Sequence, residues 1–413
     1  MSDTHGPLKR FGPGLVLLGF VVEILLATGL AAHAQTLATL YRFTGADGSF
    51  SEGGLVFDSA GNLYGTTLFG GARSEGIVFK LTPSSNETVL HSFSSKSITT
   101  LCIQPQGRGP DGAIPNRGLT MDSQGNLYGT TMRGGNCGSG TVFRVNSSGV
   151  EKVLYRFTGW ADGSQPNPGL VLDPQGNLFG TTSAGGLTQF CCGTIFELTP
   201  SGTKRTLYRF TGGADGNIPL AALVSDSNGN LYGKTNGGGT YGFGTVFKLT
   251  PDGTETVLFS FQHTETALGG LALDSDGNFY GVTGNANNGG TGGGSIFKLT
   301  PTGIKTVLHS FTGADGDGPS GVILDKQGNL YGTASSGGVG GGCVPVGCGV
   351  VFKLIPNGTE TVLYNFTGGA DGADPFGLLT FDSQGNLYGT TTSGGISGPA
   401  CDFGCGTVFK LTP

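Results

Sequence analysis

Short apolar runs separated by Gly, Pro, Asn and Asp recur along the chain from Thr36 to Thr412. Around Asp173 they cover Gly169–Asp173, Asn177–Thr182, Gly193–Thr199 and Lys204–Phe210, designated a, b, c and d. Their β-branched and aromatic residues, punctuated by turn formers, predict a four-stranded antiparallel meander. The phrase Asp-x-x-Gly-Asn-(Leu/Phe)-(Tyr/Phe)-Gly opens at the a-to-b turn and recurs at Asp58, Asp122, Asp173, Asp226, Asp274, Asp325 and Asp382. The intervals run from 48 to 64 residues, the range of a propeller blade or a solenoid coil.

Two connections in each unit are short and uniform. The a-to-b turn carries Asp and a Gly suited to the left-handed conformation, and the c-to-d turn reads Pro251-Asp-Gly253 or Pro301-Thr-Gly303. The b-to-c and d-to-a connections vary in length and lie together at the other end of the meander. One face is therefore uniform and the other variable. The first run, Thr36–Phe43, has the pattern of a d strand, and the last, Gly406–Thr412, that of a c strand. Together they complete one unit, so the expected fold is all-β, a seven-bladed propeller whose last blade is closed by the N-terminal strand.

Composition sharpens this picture. The 81 Gly and 19 Pro of 413 residues disfavour long helices. Only 12% of residues are charged, and 22 basic against 28 acidic side chains give a net charge of −6, which argues against nucleic acid as a partner. Lys9 and Arg10 precede an apolar stretch that ends at Ala32-His33-Ala34, the pattern of a signal peptide over residues 1–34. Residues 35–413 are then the exported propeller domain, with no membrane span after cleavage. A retained membrane anchor is the alternative, weakened by Gly12, Pro13, Gly14, Gly19 and Glu23.

Phrases such as Asn386-Leu-Tyr-Gly-Thr-Thr-Thr-Ser-Gly-Gly395 followed by Gly406-Thr-Val-Phe-Lys-Leu411 resemble the GloVer tandem repeat of bacterial choice-of-anchor secreted proteins. The resemblance spans residues 36–413 and implies an exported repeat protein of no defined activity. The Asp-x-x-Gly-Asn-Leu-Tyr phrase is also similar, more distantly, to the turn-and-strand phrase of gluconolactonase-like propellers.

Candidate chemistry lies on the variable face. Trp160, Phe190, Tyr241 and Phe243 break the repeat on loops of blades three and four, as a stacking platform for a glycan or as anchors for an extracellular protein. Loop packing is the plain alternative. Cys102, Cys137, Cys191, Cys192, Cys343, Cys348, Cys401 and Cys405 suit disulfides better than zinc, with Cys102–Cys137, Cys191–Cys192, Cys343–Cys348 and Cys401–Cys405 the pairs that proximity suggests. Asp-Gly pairs at Asp47, Asp111, Asp162, Asp215, Asp315 and Asp371 are explained by the loop fold. Their cation alternative is Ca2+ held by Asp315 with Asp317, or Asp371 with Asp374. His91 and His309 stand where Tyr41, Tyr155, Tyr208 and Tyr364 stand in other blades, as packing substitutes, and His263 lies in a loop. No catalytic set assembles, which favours a non-enzymatic binding propeller. A metal-dependent lactonase-like or carbohydrate-cleaving enzyme is the rival.

Overall fold

Each repeat folds into its own small antiparallel sheet, and seven such sheets form a β-propeller in the computed structural model. The structure describes residues 35–94, 111–135, 137–188, 191–263, 265–285, 293–398 and 401–413. Every regular element among them is a β-strand. Residues 35–413 form one compact unit. The signal-peptide expectation, Cys102 and Phe190 fall outside the described residues.

Closure takes the expected form. Thr36–Arg42 pairs antiparallel with Thr407–Thr412, with Thr36 opposite Thr412, and supplies strand d of blade 7. A blade alone could not bury both faces of its sheet, and the side chains that join the blades are themselves periodic. A Phe just after strand d meets the strand-c Phe of the next blade edge to face at all seven junctions. The pairs Phe43–Phe79, Phe93–Phe143, Phe157–Phe196, Phe210–Phe247, Phe261–Phe297, Phe311–Phe352 and Phe366–Phe409 have centroids 5.1–5.8 Å apart. Such tilted contacts add to the burial of rings that are almost wholly removed from solvent.

The Gly of the Leu-Tyr-Gly phrase has a steric cause. A Cβ on Gly129 would lie 2.5 Å from the Phe143 ring, and one on Gly180 2.7 Å from Phe196. Strand b is bare at this point so that the strand-c Phe can lie across it. The Asp of the phrase ties the a-to-b turn. Asp122 accepts the Gln124 and Asn126 backbone N–H groups at 3.0 and 2.8 Å, the Asn126 amide at 2.8 Å and the Tyr128 hydroxyl at 2.9 Å. Burial opposes its ionisation, but these bonds outweigh burial and hold the carboxyl below its ordinary value.

Two features depart from the sequence expectation. Strand a is split in blades 2, 3, 4 and 7, and its outer pieces, Ala113–Pro115, Ser164–Pro166, Asn217–Pro219 and Ala373–Pro375, occupy what reads as d-to-a loop. Ile114, Gln165, Ile218 and Asp374 within these pieces take positive φ, which kinks the strand ahead of Pro. Every c–d pairing also carries a register shift, as between Ile195 and Phe196, which bulges strand d outward at Leu207.

Candidate functional site

The variable face is organised by one device repeated at the blade junctions. At six of the seven junctions a Tyr or His near the end of strand d donates to the Asp of the loop that follows, and that Asp also holds the loop's own Thr, or Ser94 in the case of Asp111. At the junction of blades 3 and 4, Asp215 accepts Tyr208 Oη at 3.0 Å, Thr211 N at 2.7 Å and Thr211 Oγ1 at 2.5 Å. Tyr41–Asp47, Tyr155–Asp162 and Tyr364–Asp371 repeat it. His91–Asp111 at 3.0 Å and His309–Asp315 at 2.8 Å replace the phenol with an imidazole. Both histidines keep the tyrosine register, His309 opposite Ile296 as Tyr208 is opposite Ile195.

A third member comes from the first residue of strand d in the next blade. Glu87, Glu151, Glu255 and Glu360 each have a fully enclosed Oε1 with no hydrogen-bond partner. Burial, and then the neighbouring charge of Asp47, Asp215 or Asp315, pushes Glu87, Glu255 and Glu360 up to about 7. Glu151 reaches about 7 by burial and the charge of Asp111, against the pull of His91. Lys204 takes this place at the junction of blades 2 and 3 and donates to the Asp162 carbonyl at 2.7 Å.

Of the aromatic candidates, Trp160 and Tyr241 stand half exposed at 52% and 53%. Tyr241 borders a shallow groove of about 680 Å³ along blade 4, with Ala214, Asp215, Thr240, Glu255, Ser260 and Gln262 among its walls. Phe243 instead packs edge-on against His263, 5.0 Å between centroids, and against the core. The Trp160 carbonyl accepts the Gly163 and Gly186 amides and so joins the d-to-a and b-to-c loops of blade 3. Grooves of about 620 and 510 Å³ on the opposite face lie between a-to-b turns and are walled by residues of the repeat itself, such as Asp122, Tyr128 and Asp173 in the first.

The cysteines pair as Cys191–Cys192, Cys343–Cys348 and Cys401–Cys405, and Cys137 is also disulfide-bonded. All lie in b-to-c loops. The four aspartates considered for a cation are dispersed in role. Asp371 serves the Tyr364 device, Asp374 Oδ2 accepts Ser393 Oγ at 2.6 Å, and Asp317 Oδ1 is enclosed without a partner. Asp315 stands with His309 and Glu360.

Sequence reasoning missed a set of charges at the ring axis, where strands a of successive blades touch. Asn116 Nδ2 donates to the Pro166 carbonyl at 2.7 Å and Asn167 Nδ2 to that of Pro219 at 2.5 Å. Beside them Arg117 pairs with Glu52 and lies 4.5 Å from the Phe376 centroid. Burial raises the Glu52 carboxyl in spite of Arg117. Lys234 replaces a strand-b Thr that elsewhere bonds the next blade, as Thr130 Oγ1 bonds the Asn167 carbonyl at 3.0 Å. Its buried Nζ donates to the Leu268 and Val282 carbonyls, and burial, assisted by Lys305, lowers it to about 7. The interruption of Thr by Lys in the strand-b phrase was the available signal.

Fold and closure define the chain as a seven-bladed β-propeller with a uniform and a variable face. The Gloeobacter/Verrucomicrobia repeat model matches residues 94–292 and 267–413, and the chain belongs to that family. Among solved structures it is similar to an oligogalacturonate lyase in complex with manganese, at 14% identity over 92% of this chain and 96% of that one, TM-score 0.53. A Vibrio parahaemolyticus oligogalacturonate lyase is similar at 11% identity over 92% and 97%, also with TM-score 0.53. A Xanthomonas campestris gluconolactonase follows at 13% over 91% and 89%, TM-score 0.42. At these identities the likeness concerns the fold. No curated protein matches the chain in sequence.

Proposed function

We propose that the chain is an exported, non-enzymatic propeller that binds a neutral glycan on its variable face, in the groove beside Tyr241. The observation that carries this is the pairing of a half-exposed aromatic ring with the hydroxyls and amide of Thr240, Ser260 and Gln262 around one shallow groove. A sugar ring offers an apolar face to stack and hydroxyls to bond, and both needs are met there. Export is supported by the disulfide-closed loops. The Asp215 and Glu255 carboxyls flank the groove, but the same pair recurs as Asp47 with Glu87 and Asp315 with Glu360, which favours a role in joining blades over one in sugar cleavage. The test is a screen of the purified chain on immobilised neutral oligosaccharides, repeated with Tyr241→Ala. Expected is retention that this variant loses; absence of any retained glycan, or unchanged retention by the variant, would refute the proposal.

A further inference from the structure

The junction of blades 5 and 6 differs from the Tyr-Asp-Glu junctions of blades 7 and 1 and of blades 3 and 4 by one exchange, and that exchange alters its chemistry. A phenol hydroxyl donates to its Asp and offers a cation little at neutral pH, whereas an imidazole nitrogen is among the commonest metal donors. At this junction His309 Nε2 lies 2.8 Å from Asp315 Oδ2, and Glu360 completes the group. The donor atoms of all three lie within 4.8 Å of one another.

The surroundings leave this trio available. Asp315 Oδ1 is already taken by Thr312 N and Thr312 Oγ1, both at 2.8 Å, so the carboxylate is oriented and Oδ2 is turned to His309. Glu360 Oε1 is fully enclosed and has no hydrogen-bond partner. A buried acceptor without a donor is costly, and a cation would satisfy it. Zinc sits about 2.0–2.2 Å from nitrogen and carboxylate ligands, so it bridges donors up to about 4.2 Å apart, and modest side-chain rotation brings all three within reach.

We propose that His309, Asp315 and Glu360 form a site for a zinc-class divalent cation, pinning strand d of blade 5, the following loop and strand d of blade 6 together. The imidazole nitrogen favours zinc over Ca2+, which takes oxygen donors. The ion takes the place of the hydrogen between His309 and Asp315, and whatever protons the three groups hold pass to solvent as it binds. The site lies at another junction from the Tyr241 groove and does not depend on its ligand.

The repeat supplies the control variant. Tyr fills the His309 place at four other junctions, so His309→Tyr preserves the bond to Asp315 and the fold while removing the imidazole. Zn2+ titration of the metal-free full chain by calorimetry is expected to show a saturable equivalent that His309→Tyr and Glu360→Gln each weaken at least 100-fold. Among the described residues the corresponding groups at the junction of blades 1 and 2, His91, Asp111 and Glu151, are not brought within the same mutual distance, so His91→Tyr should leave the equivalent intact. The proposal is overturned if the chain binds no Zn2+, if His309→Tyr melts like the parent and binds Zn2+ equally, or if Ca2+ binds the same place and survives His309→Tyr.

Discussion

The junction of blades 3 and 4 and that of blades 4 and 5 perform the same mechanical task with different chemistry. The first has Tyr208, Asp215 and Glu255. The second has Phe259, no loop Asp, and Lys305 where Glu255 stands, with Lys305 ion-paired to Glu265. Donor and acceptor have vanished together: a phenol without its Asp, or an Asp without its phenol, would leave a polar group unsatisfied beside the core. The junction is thus exchanged as a unit, and charge returns only as a complete pair, with the Lys305 side chain 8% exposed among the Phe259, Phe261 and Phe297 rings.

The most severe way to break a junction is to remove one. Deleting residues 36–43 takes away strand d of blade 7, the Tyr41–Asp47 bond and the Phe43–Phe79 pair together. Because closure joins the ends of the ring, the expected result is loss of cooperative melting, followed by calorimetry or far-ultraviolet circular dichroism. A variant melting like the parent would show that the ring does not need its seam.

Breaking the exchanged unit at blades 4 and 5 comes next. Glu265→Ala strands Lys305 among aromatic rings and should cost about 3 kcal/mol in denaturant unfolding. The double variant Lys305→Met with Glu265→Gln removes both charges and should recover most of that loss. At blades 3 and 4, Tyr208→Phe imitates Phe259 without its compensation. It leaves Asp215 one bond short and should cost about 1–2 kcal/mol. If Tyr208→Phe is neutral, the joint disappearance of phenol and Asp has no energetic cause.

Acidity separates the same two junctions. Glu255 has a folded value of about 7, raised by burial and Asp215 from 4.5, so the folded state holds its proton more tightly than the unfolded chain. Its stabilising share is complete below about pH 4.5 and is lost as pH rises through 7. Glu87 behaves alike. The melting temperature should fall between pH 5 and 7, and Glu255→Gln should flatten that fall without reversing it. Lys234 acts above this window, since a buried amine at about 7 favours the folded state more as pH climbs toward 10.5. A melting temperature rising from pH 5 to 7 would contradict the assignment to the Glu residues.

What the sequence discloses follows from what is local. The seven Asp-x-x-Gly-Asn phrases, the seam strand and the cysteine pairs of the b-to-c loops at Cys191–Cys192, Cys343–Cys348 and Cys401–Cys405 are contiguous patterns, and each is found in the structure as read. The junction carboxyls are not local. Glu255 follows the Pro251-Asp-Gly253 turn and reads as a solvated residue at a strand start; only the ring brings it to Asp215, forty residues earlier. Glu52 and Arg117 meet across two blades for the same reason. The split of strand a was hidden because Ile114 and Gln165 carry no sign of a left-handed backbone, which the kink before Pro imposes on them.

The smallest effect on stability is expected where the repeat is broken without a junction being involved. Trp160 and Tyr241 are half exposed on loops, so truncation to Ala opens no core cavity and should change unfolding free energy by no more than about 0.5 kcal/mol. Phe247, wholly buried and paired with Phe210, is the contrast: Phe247→Ala should cost about 3–5 kcal/mol. Binding should rank the variants in the other order. A stacked aromatic contributes about 2 kcal/mol or more of affinity, so Tyr241→Ala should weaken a retained glycan roughly thirtyfold. Trp160, outside the groove walls, should matter only to a ligand long enough to reach blade 3. Measuring each variant against a short and a long oligosaccharide therefore separates the two rings: loss at Trp160 confined to the longer one extends the site across two blades, and equal loss with both would place Trp160 in the same groove as Tyr241.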